Sequence, residues 1–316
     1  MKNKKIMIIG GTGALGRTLI KRYHDKNHIL VFSRDEHKHV KLKNIYSDIS
    51  YQIGDVKDKD SLLQVINEYK PNIIINTAAL KHVPICEENP YESVKTNIIG
   101  HRNLIDCVQL SNHRIETLIF ISTDKACKPI NVYGMCKAIS ERLYIDYANK
   151  QSKIKVVLCR YGNVLESTGS VIPFFQKLLD SGKKTLPITD KRMTRFMITL
   201  DESVELIDWA YNHPESHGTI TVPKLKSIFI TDLAKVLAKS YGREDVKLDY
   251  VGIRPGEKIH EEMVSLEESL RSIESEKYFM ITDNVINDEV WSFSSDTTII
   301  PFDEIRDFLI KKGVIK

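Results

Sequence analysis

A short apolar run followed by three spaced glycines is the feature that most limits how this chain can fold. Lys5–Ile9 is typical of a buried parallel strand, and residues 13–24 carry apolar side chains near helical spacing. Between them Gly10 allows a sharp turn, Gly13 lets a phosphate approach the backbone, and Gly16 lets the helix pack closely on the strand. A glycine triplet alone is a weak signal, but this order of strand, turn and helix predicts a site for a dinucleotide pyrophosphate at the helix N-terminus.

Strands and helices continue to alternate along the chain. The apolar patterns predict strands at residues 28–32, near 53, 72–75, 118–121, 155–159 and 219–222, and helices at 61–69, 91–110, 133–149 and 201–211. This succession predicts an α/β fold with a doubly wound parallel Rossmann sheet and right-handed crossovers.

The alternation loosens after residue 163, which suggests a second, smaller region. Residues 168–173, 191–196 and 254–258 are interpreted as loops, and the last two segments carry basic side chains. We therefore predict a dinucleotide-binding domain over 1–165, with a return to the sheet at about 198–225. Residues 166–197 and 226–316 are predicted to form an interleaved substrate-binding region.

Several polar or small residues directly follow predicted strands. Asp55, Ala78, Ser122 and Asn163 all occupy such positions. Ligands of open α/β sheets bind outside the carboxyl ends of the strands. These four residues are therefore expected to line one crevice.

The end of the second predicted strand bears on the choice of dinucleotide. An acidic residue about 20 positions beyond the glycines favours NAD, whereas an arginine favours the 2′-phosphate of NADP. Arg34 directly follows Ser33, which favours NADP, while Asp35 leaves NAD open. A solvated loop charge is the alternative interpretation of Arg34.

The composition excludes several classes of protein. The net charge is +4, from 46 basic and 42 acidic residues mixed along the chain, which does not suggest a nucleic-acid surface. His37 and His39 show no repeated ligand spacing, so no metal site is expected.

The cysteines and the apolar stretches indicate in which cellular compartment the protein is expected. The five cysteines are scattered with no C-x-x-C pair, which favours thiols in a reducing cytosol. The apolar run at the N-terminus is too short for a signal-peptide core, and no stretch approaches the roughly 20 apolar residues that span a membrane. A cytoplasmic enzyme without a membrane partner is expected.

A phenol and an amine are spaced for acid–base chemistry. Tyr133 and Lys137 are four residues apart, so a helix places them on one face. A phenol has a pKa near ~10 and is a poor base at neutral pH. A nearby ammonium favours the phenolate, so Tyr133 is predicted to take a proton from a sugar hydroxyl. The motif occurs by chance in many helices and gains weight only after a dinucleotide loop.

These motifs together resemble the extended short-chain dehydrogenase/reductases that act on nucleotide sugars. The glycine spacing, residues 76–79 (NTAA), and Tyr133 with Lys137 carry this resemblance. Further segments resemble the polysaccharide-biosynthesis 4,6-dehydratases, and most of all the inverting UDP-N-acetylglucosamine 4,6-dehydratases, which also epimerise C5. These segments are 79–84 (ALKHVP), 122–126 (STDKA), 160–164 (RYGNV), 193–196 (MTRF) and 254–258 (RPGEK). The resemblance extends from residue 5 to about 265.

The pair Asp124-Lys125 distinguishes the branches. Retaining dehydratases carry Asp-Glu at this place, where the carboxylates serve as the acid for the C6 hydroxyl and the base for the C5 proton. In the inverting branch the resemblance assigns the base to Lys125. A lysine must lose its proton to act so, and burial or a cation such as Lys137 is expected to lower its pKa from about 10.4. The alternative is that Lys125 only neutralises Asp124 or a diphosphate.

The resemblance also implies a full set of site residues. The implied catalytic residues are Thr123, Asp124, Lys125, Tyr133 and Lys137. The implied cofactor-binding residues are Gly10, Thr12, Gly13, Ala14, Leu15, Gly16, Ser33, Arg34, Asp55, Val56, Ala78, Ala79, Lys81, Tyr133 and Lys137. The implied substrate-binding residues are Lys81, His82, Asn163, Val171, Arg195, Arg254 and Glu257.

The implied reaction converts UDP-N-acetylglucosamine to UDP-2-acetamido-2,6-dideoxy-β-L-arabino-hexos-4-ulose, as a hydro-lyase without net redox. A retaining dehydratase, a 4-epimerase and a non-catalytic NADP-binding regulator are the alternatives. Relatives pair two long helices into a dimer and some form hexamers, so the resemblance implies a homo-oligomer. The predicted helices at 91–110 and 133–149 are expected to expose apolar positions such as Leu143.

Overall fold

The computed structural model of the chain describes residues 1–165 and 169–316. Its strands, in chain order, are β1 (Lys5–Ile9), β2 (His28–Ser33), β3 (Ser50–Ile53), β4 (Ile73–Asn76), β5 (Thr117–Ile121), β6 (Lys155–Cys159), β7 (Asn163–Val164), β8 (Thr185–Ile188), β9 (Thr194–Ile198), β10 (Ile220–Pro223), β11 (Ser227–Phe229), β12 (Lys247–Tyr250), β13 (Glu262–Val264), β14 (Ser272–Glu274), β15 (Tyr278–Ile281) and β16 (Phe293–Ser294).

The helices fill most of the connections between these strands. They are α1 (Ala14–Tyr23), α2 (Glu36–Lys43), α3 (Lys59–Tyr69), α4 (Val83–Glu88), α5 (Pro90–Val94), α6 (Gly100–Leu110), α7 (Val132–Asn149), α8 (Val171–Asp180), α9 (Leu200–Asn212), α10 (Ile230–Ser240), α11 (Leu266–Ser269) and α12 (Phe302–Lys311). A π-helical stretch at Lys95–Ile99 joins α5 to α6.

Nine strands form the main sheet, in the order β14-β15-β10-β6-β5-β4-β1-β2-β3. All pairs from β10 to β3 are parallel, which confirms the predicted doubly wound α/β fold. The strands β15 and β14 then add an antiparallel edge beside β10. Residues 272–281 therefore belong to the main sheet, although the sequence division placed them in the substrate-binding region.

The central strands are buried on both faces, as parallel strands covered by helices must be. Along β1, Met7 and Ile9 pack into one apolar cluster while Ile6 and Ile8 pack into another on the opposite face. This alternation follows from the two-residue period of a strand. A third apolar cluster lies around α8, α10 and α12, outside the main sheet.

The smaller region contains more regular structure than the sequence predicted. The interpretation of 191–196 as a loop is wrong from Thr194 onward, because β9 begins there and pairs with β11 and β7. The predicted loop at 168–173 begins at Thr168, which lies outside the described residues, and it ends where α8 starts at Val171. Two further pairs, β12 with β8 and β13 with β16, complete this region.

The helical stretch from 90 to 110 has a local irregularity with a clear cause. Asn97 lies in its π-helical part, and its side chain bonds both the N–H and the C=O of Leu80, at 2.9 and 2.8 Å. The Ser140 hydroxyl of α7 donates to the Asn97 carbonyl oxygen. These contacts hold the loop after β4 against the two long helices, and such π-helical stretches occur often at functional sites.

The two long helices also present apolar side chains to the surface. Met135 and Ile139 of α7 are 47 and 48% exposed, and Tyr91 is 68% exposed. Leu143, which was expected to be exposed, is half-buried and packs against the core. An oligomer contact through these helices stays a prediction.

The structure also shows the state of the cysteines and the character of the helices. All five cysteines are unpaired and buried. Within residues 1–165 and 169–316, no helix combines the length and the apolar character needed to cross a membrane.

A buried arginine ties the main sheet to the C-terminal segments. Arg160, directly after β6, is 1% exposed and bonds both oxygens of Glu141 at 2.9 and 2.7 Å. It also bonds both oxygens of Glu268, at 2.8 and 2.9 Å, and the carbonyl oxygen of Met263 at 2.9 Å. Glu141 in turn accepts from the Ser122 hydroxyl at 2.6 Å. One guanidinium therefore links β6, α7, the end of β5 and the segment around β13.

Replacing this arginine should destabilise the fold strongly. Arg160→Met leaves two buried carboxylates without a cation, so we expect a loss of about 3–5 kcal/mol in the free energy of unfolding. Urea denaturation at neutral pH measures it. The control is Arg142→Met, which removes an exposed arginine 4.0 Å from Asp283, and it should cost at most about 1 kcal/mol. Equal losses in the two variants would contradict this account.

Candidate active site

A cavity of about 990 Å³ lies at the carboxyl ends of β1, β2, β4 and β5. The four residues expected in one crevice, Asp55, Ala78, Ser122 and Asn163, all line it. The cavity also brings together most of the remaining predicted site residues: Gly10, Thr12, Gly13, Ala14, Leu15, Gly16, Ser33, Arg34, Val56, Ala79, Lys81, His82, Thr123, Asp124, Lys125, Tyr133, Lys137, Arg254 and Glu257.

The glycine turn after β1 forms one end of this cavity. Gly10 has φ +76°, and a Cβ built on it would lie 2.8 Å from the backbone nitrogen of Ala78. A Cβ on Gly16 would clash with the carbonyl group of Gly11. The turn therefore accepts only glycine at these two positions, and it leaves a backbone-lined cradle at the start of α1. Such a cradle fits the pyrophosphate of a dinucleotide.

The end of β2 lines the adjoining part of the cavity. The Ser33 hydroxyl lies 3.1 Å from that of Thr12 and 2.7 Å from Nε2 of the buried His39. Arg34 lies 3.6 Å from the Asp55 carboxylate, with half of its side chain exposed. Asp35 also lines the cavity, and its carboxylate accepts from the backbone N–H of Lys38 at the start of α2 at 3.0 Å.

Arg34 has two cationic neighbours in the cavity wall. Arg17 and Lys38 both line this part of the cavity, and Arg17 donates to the Thr12 carbonyl oxygen at 3.1 Å. Lys38 is paired with Asp35 at 2.9 Å. This part of the cavity therefore holds three cations, Arg17, Arg34 and Lys38, and two carboxylates, Asp35 and Asp55, so one positive charge is in excess.

Tyr133 and Lys137 lie on the first two turns of α7, facing the cavity. Lys137 is 2% exposed, its Nζ donates to the Ile121 carbonyl oxygen at 2.5 Å, and it lies 4.1 Å from the centre of the Phe120 ring. Burial lowers the pKa of Lys137 to about 7, against the opposing effect of Glu141. Both the charged and the neutral form of Lys137 carry N–H donors, so either form can donate a hydrogen bond to a hydroxyl group in the cavity.

The pKa of the Tyr133 phenol differs from the value expected from the sequence. Burial raises the pKa of Tyr133 to about 12, and the neighbouring cation that opposes this rise is Lys125 rather than Lys137. The phenol is therefore protonated at neutral pH. A proton must leave Tyr133 before it can act as a base.

Thr123, Asp124 and Lys125 follow β5 in a tight turn that includes the 3-10 helix Asp124–Ala126. Asp124 is fully buried, and its Oδ1 accepts from the Thr123 hydroxyl at 2.9 Å and from Lys125 Nζ at 3.0 Å. Its Oδ2 has no hydrogen-bond partner among the described residues. Burial raises the pKa of Asp124, so this carboxyl is suited to carry a proton.

A residue that the sequence analysis missed completes this cluster. Glu261, which directly precedes β13, is 2% exposed and places Oε1 3.2 Å from Lys125 Nζ. Its local sequence, His-Glu-Glu, has no pattern that would distinguish a buried glutamate from an exposed one. The only available signal was its closeness to the RPGEK segment that the resemblance had singled out.

Glu261 changes what is expected of Lys125. Burial by itself would lower the pKa of Lys125, but Asp124 and Glu261 outweigh this effect and raise it above its ordinary value. The expectation of a lowered pKa for Lys125 is therefore wrong. The cation that opposes this rise is Arg195 rather than Lys137.

Only some of the residues predicted to bind the substrate line the cavity. Arg254 and Glu257 pair with each other at 3.0 Å on the exposed wall of the cavity, and Asn163 has a buried Oδ1 that finds no partner among the described residues. Arg195 and Val171 do not line the cavity. Arg195 instead donates to the carbonyl oxygens of residues 194, 258 and 259, and Val171 is the first residue of α8.

The comparisons with known proteins agree with this geometry. The family model for a polysaccharide biosynthesis protein matches residues 6–283. A protein from Campylobacter jejuni serotype O:2 named UDP-N-acetylglucosamine 4,6-dehydratase (inverting) is 42% identical over 297 residues, covering 90% of this chain and 85% of its own. A UDP-glucose 4-epimerase from Rickettsia rickettsii is 37% identical, covering 88% of this chain and 83% of its own. The solved structure of Pen from Bacillus thuringiensis superposes with a TM-score of 0.91 at 30% identity, covering 99% of both chains.

The lowered pKa of Lys137 predicts a specific dependence of stability on pH. Between about pH 7 and the ordinary lysine pKa, the unfolded chain binds the proton that the folded protein has lost. Lys137 should therefore add to the free energy of unfolding as pH rises through this window, by up to about 1.4 kcal/mol per unit, while the buried cysteines, whose pKa values are raised, contribute in the opposite direction.

Urea denaturation of the ligand-free protein at a series of pH values checks this prediction. Compared with the wild type, Lys137→Met should lose the Lys137 contribution to the slope of unfolding free energy against pH, while Lys150→Met, at an exposed lysine of the same region, should keep the wild-type slope. A Lys137→Met protein with the full wild-type slope would show that another group is responsible.

Proposed function

Since the chain belongs to the polysaccharide biosynthesis protein family, we propose that it is an inverting nucleotide-sugar 4,6-dehydratase acting on UDP-N-acetylglucosamine. The observation that carries this proposal is the meeting of Asp124, Lys125 and Tyr133 at one wall of a cavity whose other end is a glycine cradle. An acid, an amine and a phenol within one site suit elimination of water next to an oxidised carbon.

The dinucleotide, when bound, supplies the hydride acceptor and donor that such a reaction needs. The glycine turn at Gly10 and Gly16 would hold its pyrophosphate, and Lys137 would donate to its ribose and to the phenol of Tyr133. The Asp55 carboxylate lies at the far part of the cavity, beside Arg34, where it could accept from the adenosine.

The chain's own residues then divide the proton transfers among them. Once its own proton has been released to solvent, Tyr133 takes the proton of the O4 hydroxyl, and the Thr123 hydroxyl orients that group. With C4 oxidised, the proton on C5 becomes acidic, and Lys125 removes it. Asp124 gives a proton to the C6 hydroxyl, which leaves as water. With the hydride returned to C6, a solvent-derived proton added to C5 on the opposite face gives the inverted sugar.

The close contact between Lys125 and Asp124 supports these two roles. An ammonium cannot act as a base and a carboxylate cannot act as an acid. The transfer of one proton from Lys125 Nζ to Asp124 Oδ1, across the 3.0 Å hydrogen bond, gives a neutral amine and a neutral carboxylic acid. Burial favours this neutral pair, because a low dielectric disfavours charge on both groups. The raised pKa of Asp124 acts in the same direction, whereas the raised pKa of Lys125 opposes the transfer.

Incubation with UDP-N-acetylglucosamine in D₂O tests the proposed reaction. We expect a product lighter by one water, with deuterium at C5 and the inverted C5 coupling pattern in its proton spectrum. Asp124→Asn, which keeps the side-chain shape but lacks the acidic proton, should lower the rate about a hundredfold or more.

Each other outcome identifies an alternative. Loss of water with the C5 configuration kept would indicate a retaining dehydratase. An isomer of unchanged mass would indicate a 4-epimerase, the activity named for the Rickettsia relative. A bound dinucleotide without any reaction of nucleotide sugars would indicate a regulator.

We propose NADP rather than NAD as the dinucleotide. The cationic part of the cavity around Arg34, with Arg17 and Lys38 in the same wall, supports this choice. A guanidinium matches the geometry of a 2′-phosphate, whereas NAD offers only a hydroxyl there.

The choice of dinucleotide can be tested by replacing Arg34. A charge-assisted hydrogen bond contributes about 1.5–3 kcal/mol, so Arg34→Ala should raise the Kd of NADP about tenfold or more and leave that of NAD within about twofold. Isothermal titration calorimetry measures both constants. Arg22→Ala, an exposed arginine at the other end of α1, should change neither. Equal weakening of both dinucleotides in the Arg34 variant would contradict the proposal.

A further inference from the structure

Glu261 is a buried carboxylate to which the proposed reaction gives no role. Its backbone is fixed by the turn after β16, because its N–H donates to the Ser295 hydroxyl at 2.9 Å and its carbonyl oxygen accepts from the Ser295 N–H at 2.8 Å. Its position in the site is therefore set by the C-terminal fold rather than by the strand that carries Asp124 and Lys125.

The Glu261 side chain lies in a ring of cations. Oε1 is 3.2 Å from Lys125 Nζ and 3.8 Å from Arg195 Nε, and Oε2 is 4.0 Å from Lys258 Nζ. These cations outweigh the effect of burial and lower the pKa of Glu261, so it stays ionised. Oε2 is buried and accepts no hydrogen bond from the described residues.

Lys125 Nζ consequently lies between two carboxylates, 3.0 Å from Asp124 and 3.2 Å from Glu261. An ammonium has three N–H donors, so two anions on either side leave one donor direction for a ligand. Asp124 is part of the same short turn and cannot by itself fix the direction of a flexible four-carbon side chain. The contact from Glu261 supplies the second fixed point.

We infer that Glu261 is a positioning residue for Lys125, which holds the amine beside Asp124 and sets the pH above which the pair can act. The inference rests on the proposed function, because it takes Lys125 as the base. Glu261 does not touch the reacting atoms in this account. Glu261 keeps the Lys125 side chain beside Asp124, so that the shared proton stays within the Asp124–Lys125 pair.

The sign of the pH effect follows from the charges. At low pH the cluster carries one proton too many, with Asp124 neutral and Lys125 still charged, so no base is present. The groups that face Lys125 are Asp124, Tyr133, Glu261 and Arg195, and Lys258 faces Glu261. Removing the Glu261 charge leaves the cations less compensated, so the extra proton is lost at lower pH.

The test is the pH profile of dehydration and of C5 deuterium incorporation for Glu261→Gln. The acidic limb should move to lower pH by at least about one unit, the usual effect of one opposite charge within 4–6 Å. Glu262→Gln, the next residue, removes a carboxylate that contacts Lys128 instead, and its limb should coincide with that of the wild type. A folded Glu261→Gln protein with an unmoved limb would overturn the inference, even if its rate or thermal stability fell.

A second variant decides the case in which Glu261→Gln does not fold. Glu261→Asp keeps the negative charge but places it one methylene further from Lys125. The acidic limb of its pH profile should therefore move to lower pH than in the wild type, by less than the shift expected for Glu261→Gln. An unmoved limb in this variant would then overturn the inference. A wild-type protein that eliminates no water from any nucleotide sugar would instead contradict the proposed function, so the two failures are distinguishable.

Discussion

The bidentate contacts of Arg160 are the interaction on which the arrangement of this molecule depends. A guanidinium with five donors can satisfy two carboxylates and a carbonyl oxygen at once, and Arg160 does so at the end of β6. Through Glu141 it fixes Ser122, which directly precedes the turn with Asp124. Through Glu268 and Met263 it fixes the C-terminal segment that carries Glu261. Two parts of the active site that are distant in sequence are therefore held by one buried cation.

This arrangement explains how charged groups can be buried so densely in the site. Asp124, Lys125 and Glu261 would each be costly to bury alone, since an unpaired charge in a low dielectric is strongly disfavoured. Together with Arg195 they form a cluster in which each charge faces an opposite one. The cluster stabilises the charged forms in the resting protein, and a single proton transfer within it produces the neutral acid and base that the proposed chemistry requires.

The sequence predicted those features that local patterns determine. The alternation of apolar runs with helical periods indicated the parallel sheet, and the glycine spacing located the cradle at Gly10. It did not predict that β14 and β15 extend the sheet, because short antiparallel edge strands have no pattern that separates them from loops. It also missed Glu261, and it misjudged the pKa of Lys125, because both depend on a contact between residues 136 positions apart in the chain. Such contacts are products of the tertiary fold.

The central claim is that one cluster supplies the phenol, the amine and the acid to three adjacent positions of one sugar. The most direct test is a crystal structure of the Tyr133→Phe variant, which should not turn over, with NADP and UDP-N-acetylglucosamine bound. The account predicts the sugar O4 beside the edge of the substituted ring at position 133, C5 within about 3–3.5 Å of Lys125 Nζ, and the C6 hydroxyl within hydrogen-bond distance of Asp124. A sugar bound with C5 turned away from Lys125, or with its C6 hydroxyl in solvent, would contradict it.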